Sequence, residues 1–135
     1  MFVYQHKVHY YETDRMGVTH HSNYFRFMEE ARVAFLDAIG ASYARMEADG
    51  IISPVMAIDG RFLHTTTLDD VLDIEVFIRE VSLLKLRIGY RMRVGEKEVF
   101  EGTSLHCFLD KEGRPVRILE RYPQFAPKAS SPEES

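Results

Sequence analysis

Tyr10-Tyr11-Glu12-Thr13-Asp14-Arg15-Met16-Gly17-Val18-Thr19-His20-His21-Ser22-Asn23-Tyr24 is the stretch on which the reading of this chain turns. It joins a Val- and Tyr-rich segment, residues 3 to 11, to a long run of apolar residues at helical spacing. The first segment alternates loosely and predicts a strand. In the second, Tyr24, Phe27, Met28, Ala31, Phe35, Ala38 and Ile39 recur every three or four residues, and Gly40 is a fitting stop. Ser22 or Asn23 is placed to cap the helix, so the loop delivers its side chains to a helix N-terminus, where backbone N–H groups lack partners.

Beyond Gly40 a short helical piece, Ser42 to Ala48, is followed by a change of period to two. Pro54 to His64 reads as a strand with a bulge or bend at Gly60. Ile74, Val76 and Ile78 define a second strand after the helix, and Leu86, Ile88, Tyr90, Met92 and Val94 a third, each with one wet face. Gly95-Glu96 is a hairpin turn into Val99 to Leu109, where Val99, Thr103, Leu105, Cys107 and Leu109 are expected to share the inward face. The sum is strand, long helix, four strands: an α+β chain with a mostly antiparallel sheet wrapped around one central helix. So small a sheet leaves an edge exposed, and pairing with a second copy is the simplest cover, which predicts a homo-oligomer.

The 135 residues, 45% of them hydrophobic, suit a single domain. Residues 1 to 122 are expected to form it. Residues 123 to 135 carry three of the five prolines and are expected to be a mobile tail. A net charge of −4 offers no footprint for nucleic acid, and no apolar run approaches a membrane span. The first residues lack the pattern of a secretory signal and Cys107 is the lone cysteine, so the cytoplasm is the expected compartment.

The chemistry is concentrated in the quoted loop. Tyr10 and Asp14 are ~13 Å apart on an extended chain, and meet only if the chain turns. Gly17 can adopt the positive φ that such a turn needs, bringing Asp14 toward the helix start and His21. A helix N-terminus favours a charged carboxylate, available there as nucleophile or general base, and the N–H groups from His21 onward could hold an oxyanion. That combination suggests acyl transfer to water. Each residue also has a plain structural alternative: Asp14 as a turn residue, Tyr10 as a core phenol, His21 as a surface imidazole.

The spaced pattern Tyr10-x-x-Thr13-Asp14-x-x-Gly17-Val18-x-x-His21-x-x-Tyr24, followed by Glu30-Ala31-Arg32, closely resembles the signature of the hotdog-fold thioesterases. More narrowly it resembles the 4-hydroxybenzoyl-CoA thioesterase-like branch that includes the Tol-Pal-associated enzymes. The resemblance runs from about Val8 to about Leu119. It implies a sheet wrapped around a central helix, subunits that pair so that their sheets join, active sites between protomers, and acyl-CoA substrates. By position it makes Asp14 the catalytic carboxylate, His21 and Tyr10 its assistants, and the N–H at position 21 the group that polarises the thioester carbonyl. No cofactor or metal is implied. Where relatives carry Tyr-His, this chain has His20-His21, so His20 could share or disturb the role of His21.

Gly17, Tyr24, Phe27 and Phe62 are the residues expected to bind substrate, with Met28 beside them, although an aromatic and Met stripe at helical spacing is ordinarily core. Arg61, His64, Lys85, Arg87, Arg91 and Arg93 could meet the CoA phosphates or simply form a solvated strand face. A metal hydrolase is a weaker alternative. His6, His9, His20 and His21 crowd near Glu12 and Asp14, but on a continuous strand His6 and His9 would point to opposite faces, and no His-Glu-x-x-His helix is present. Ser104 lacks a nucleophile elbow and Cys107 falls mid-strand. A hydratase or dehydratase on the same fold is a closer rival, and a non-catalytic acyl-binding or scaffold module is a rival from a different class.

Overall fold

The computed structural model describes residues 1–126. Its regular elements are β1 (Phe2–Lys7), α1 (Asn23–Ala38), α2 (Tyr43–Ala48), β2 (Val55–Phe62), β3 (Val71–Val81), β4 (Lys85–Val94), β5 (Lys97–Cys107) and the short α3 (Ile118–Arg121), with single 3-10 turns at Tyr10–Glu12 and Pro123–Phe125. The five strands form one antiparallel sheet in the order β1-β3-β4-β5-β2. The hotdog fold implied by the resemblance is the fold of this chain.

The sheet curls around α1 because both surfaces are apolar on facing sides. Tyr24, Phe27, Met28, Ala31, Phe35 and Leu36 are buried on the helix, and Leu72, Ile74, Val76, Leu86, Ile88, Tyr90 and Met92 are buried on the sheet. The alternation read in β3 and β4 is therefore the core face. In β5 the expected face is the wrong one beyond Val99, which is buried as expected where the register with β4 shifts. Phe100, Gly102, Ser104, His106 and Phe108 point inward, whereas Thr103, Leu105, Cys107 and Leu109 are only half-buried.

A polar chain across the core explains the reversal. Tyr90 OH and Ser104 Oγ are 2.6 Å apart, and Ser104 Oγ lies 2.7 Å from His106 Nε2. Arg32, 4% exposed, donates from Nη1 to Tyr90 OH (3.2 Å) and from Nε to Tyr43 OH (2.8 Å). Buried polar groups are tolerated when paired, and here each side chain supplies a neighbour's partner, His106 Nδ1 alone being left without one among the described residues. Hydrophobicity alone points the strand the other way.

Other departures are local. β1 ends at Lys7 rather than continuing to residue 11, and the chain turns through 3-10 geometry instead. Gly60 is not the bulge: the irregularity in β2 lies between Val55 and Ala57, and Gly60 pairs in register with Gly102. Its lack of a side chain makes room for the Phe100 ring, which would stand 2.3 Å from a Cβ there. Neither Ser22 nor Asn23 caps α1. Ser22 Oγ bonds His20 Nδ1 (2.8 Å), and Asn23 Nδ2 donates to the Glu12 carbonyl (2.9 Å). The expected boundary at residue 122 also moves, because Phe125 is fully buried against Phe108 and Tyr122. The mobility expected of the remaining tail falls on residues outside those described.

Candidate active site

The loop after the first 3-10 turn closes on itself as Gly17 allows. Gly17 has φ +79, its N–H donates to the Asp14 carbonyl (3.0 Å), and Asp14 N–H donates to the Val18 carbonyl (2.9 Å). Thr13 and Thr19 pair across the base of this turn. The Asp14 carboxylate folds over it, Oδ1 accepting from Met16 N–H at 2.8 Å. Among the described residues Oδ2 meets no hydrogen-bond donor.

Beneath the turn runs a chain of buried hydroxyls. Thr19 Oγ1 and Thr66 Oγ1 are 2.6 Å apart, and Thr66 Oγ1 lies 2.9 Å from Tyr24 OH. Thr19 N–H also donates to the Thr66 carbonyl (2.8 Å). These bonds tie the Asp14 turn to the strand-end segment before β3 and to the first turn of α1. Burial pushes the Tyr24 phenol up, against the lowering effect of its hydroxyl partners, so it serves as a neutral hydrogen-bonding group.

Asp14 and His21 meet at one cleft of about 300 Å³, lined also by Met16, Val18, Thr19, Tyr24, Phe62, Leu63, His64 and Thr65. The His21 ring is exposed, stacks on His20 at 4.3 Å and faces the edge of Phe62 at 6.3 Å. Among the described residues the His21 backbone N–H meets no acceptor, whereas its carbonyl accepts from Tyr24 N–H (3.2 Å). A donor of this kind, in the turn that leads into α1, can hold negative charge on an oxygen.

The sequence-predicted residues divide accordingly. Asp14, His21, Tyr24 and Phe62 share the cleft. Tyr10 does not: it is 79% exposed on the 3-10 turn, its carbonyl accepting from Thr13 Oγ1 (2.7 Å). Phe27 is wholly buried between the His6 and Tyr24 rings, a core residue rather than a cleft wall. Gly17 shapes the turn, and its carbonyl accepts from Thr67 Oγ1 (2.8 Å). Sequence reasoning missed Thr19, Thr66 and the apolar Met16, Val18 and Leu63. Their only sequence signal is proximity to Asp14 or to the end of β2, which is no signal for Thr66 at all.

His6 and His9 are not held apart as a continuous strand would hold them. Because β1 stops at Lys7, the two rings come within 5.3 Å, edge to face, beside Glu12.

A five-stranded antiparallel sheet around one helix defines a class of fold, and likeness to known proteins bears the fold out. Residues 8–134 match the model of the Thioesterase-like superfamily, and the chain belongs to that family, which places it among thioester hydrolases. A Bacillus subtilis protein, provisionally named an acyl-CoA thioesterase, is 30% identical over 122 residues, covering 88% of each chain. A solved structure of a hypothetical protein from Aquifex aeolicus superposes with a TM-score of 0.87 at 30% identity, covering 93% of this chain and 98% of that one. The DHNA-CoA thioesterase of Staphylococcus aureus superposes with a TM-score of 0.83 at 26% identity, covering 91% and 84%.

Proposed function

We propose that this protein is an acyl-CoA thioesterase in which Asp14 is the catalytic carboxylate, of the 4-hydroxybenzoyl-CoA thioesterase-like kind that includes the Tol-Pal-associated enzymes. The observation that carries the reading is the shared cleft, which both Asp14 and His21 line, with the His21 backbone N–H meeting no acceptor among the described residues. The thioester carbonyl oxygen accepts from the His21 N–H, which draws electron density off the carbon. Asp14 then either takes a proton from the attacking water or adds to the carbon itself, forming an anhydride that water opens. In both routes the C–S bond breaks, the CoA sulfur leaves with a proton that His21 is placed to handle, and the free acid remains. Neither route uses a cofactor.

The acyl group lies against Tyr24, Phe62 and Leu63, an aromatic and aliphatic wall suited to a flat or short chain. A second copy completes it. β2 is an edge strand, and Val55, Met56, Ile58 and Phe62 on it are 39–51% exposed, an apolar edge that pairing would cover. β2 runs directly into the cleft wall at Phe62, so a partner on that edge reaches the site. The working form in this reading is a homo-oligomer, specifically a homotetramer built from such dimers, acting in the cytoplasm. Among the described residues no helix is long and apolar enough to cross a membrane.

The test is thiol release from a panel of short, long and aromatic acyl-CoA esters, with sizing of the protein by light scattering. Turnover is expected, strongest on aromatic or short acyl groups, from an assembly larger than a monomer. Absence of turnover across the panel would leave a binding module and refute the enzymatic reading.

A further inference from the structure

We propose that His6, His9 and Glu12 form a binding site for a zinc-class dication at the root of the Asp14 loop, separate from the cleft and independent of the hydrolytic reading. One donor atom from each lies within 4.8 Å of the others. Two imidazoles and a carboxylate are the ligand set that zinc takes when a fourth position is left to water. The geometry arises because β1 ends at Lys7 and the 3-10 turn swings His9 and Glu12 back over His6.

The surroundings are built as metal sites are built. His6 and Glu12 are 7% and 5% exposed, with His6 Nε2 and Glu12 Oε1 2.8 Å apart. Two ligands on a tetrahedral zinc stand about 3.3 Å apart, so the His6–Glu12 pair would open by roughly 0.5 Å and the exposed His9 would close in by up to about 1.5 Å. The His6 ring packs on Phe27 with centroids 4.2 Å apart, which fixes its plane. On its other side, Nδ1 lies 3.5 Å from Glu30 Oε1, itself held by Tyr4 OH at 3.1 Å. A ligating imidazole needs its proton on the nitrogen away from the metal, and Glu30 stands at ion-pair distance on that side, where a small closure would let it accept, as carboxylates do behind zinc-ligating histidines. His9 is exposed and gives the ion its way in.

His9 precedes the 3-10 turn, Glu12 is its last residue, and His6 is the next-to-last residue of β1. A bound ion would therefore staple the strand to the turn two residues before Asp14.

The test is titration of the full chain, stripped with a chelator and dialysed, with Zn²⁺ by calorimetry, and with Co²⁺ by visible absorption. One ion per chain is expected, with the intense d–d bands of a four-coordinate site. His9→Ala, at an exposed position, is expected to abolish saturable binding while leaving the thermal midpoint of the metal-free protein unchanged. Glu30→Gln, which touches no metal, is expected to weaken binding about 10- to 100-fold. No saturable binding to the parent chain would overturn the proposal, as would unchanged binding in His9→Ala. Loss of binding in His20→Ala with retention in His9→Ala would place the ion elsewhere and overturn it equally. None of these readouts depends on thioester turnover.

Discussion

Acidification should unfold this protein through His106 more than through any surface group, and the effect can be sized. His106 is 1% exposed on the inward face of β5, with Nε2 engaged by Ser104 and Nδ1 without a partner among the described residues. Burial, and secondarily the positive charge of Arg32, lower its pKa from 6.5 to about 4. The sign follows from which state binds the proton. Above pH 6.5 the imidazole is neutral in both states, and its full contribution is present. As pH falls from 6.5 toward 4 the unfolded chain takes up a proton that the folded chain refuses, so stability is lost across that window and levels off below it.

The displacement of about 2.5 units corresponds to roughly 3 kcal/mol in total, of which about 2 kcal/mol falls between pH 7 and pH 4.5. The assay is urea unfolding followed by circular dichroism at several pH values and fixed protein concentration, comparing the parent with His106→Gln, which cannot be protonated. The variant starts less stable but its stability should fall less steeply with pH, the two curves converging by about 2 kcal/mol at pH 4.5. Parallel curves would refute the reasoning, because they would mean that His106 gains its proton without unfolding the core.

Three further outcomes follow from the packing and the cleft. His21→Ala should lower turnover by about 100-fold or less if, as proposed, it handles the leaving group's proton, and a loss equal to that of the carboxylate variant would mean the two act as one unit. Thr66→Val leaves the buried Thr19 and Tyr24 hydroxyls without their shared partner, and should cost about 1–3 kcal/mol in chemical denaturation. Gly102→Ala places a Cβ 2.7 Å from the Asp59 carbonyl oxygen, a backbone atom that cannot swing away. It should destabilise by about 1–3 kcal/mol, measured the same way, and an unchanged midpoint would show that β2 can shift.

The sequence made the frame legible because its periodicities are unambiguous. Tyr24 to Phe35 repeat as a helix face, and Leu72 to Met92 alternate as strands, and those residues are the core. The turn at Gly17 was legible for the same reason, since a positive φ has few occupants. What failed was everything that required knowing which polar groups find one another. The inward Ser104 and His106 look like a wet face until Tyr90 and Arg32 are seen opposite them. His6 and His9 look divergent until the strand is seen to stop. Thr66 lies 47 residues from Thr19, and no local pattern ties a threonine to a partner at that distance. Tyr10 shows the converse limit: a place in a motif assigns it a role, while its side chain stands in solvent within a single chain. Access to a cleft from there requires a second copy.

The central claim is that the carboxylate of Asp14 performs the cleavage, and its most direct test is thiol release from an acyl-CoA substrate by Asp14→Asn. The amide keeps the size of the side chain and can still accept from Met16 N–H, so the turn and the assembly should survive, as judged by circular dichroism and light scattering. The account predicts a fall in kcat of at least about 100-fold with KM little changed, because the lost group acts on the reacting carbon or its water rather than on binding. Turnover equal to the parent's, in a variant that is folded and assembled, would contradict it.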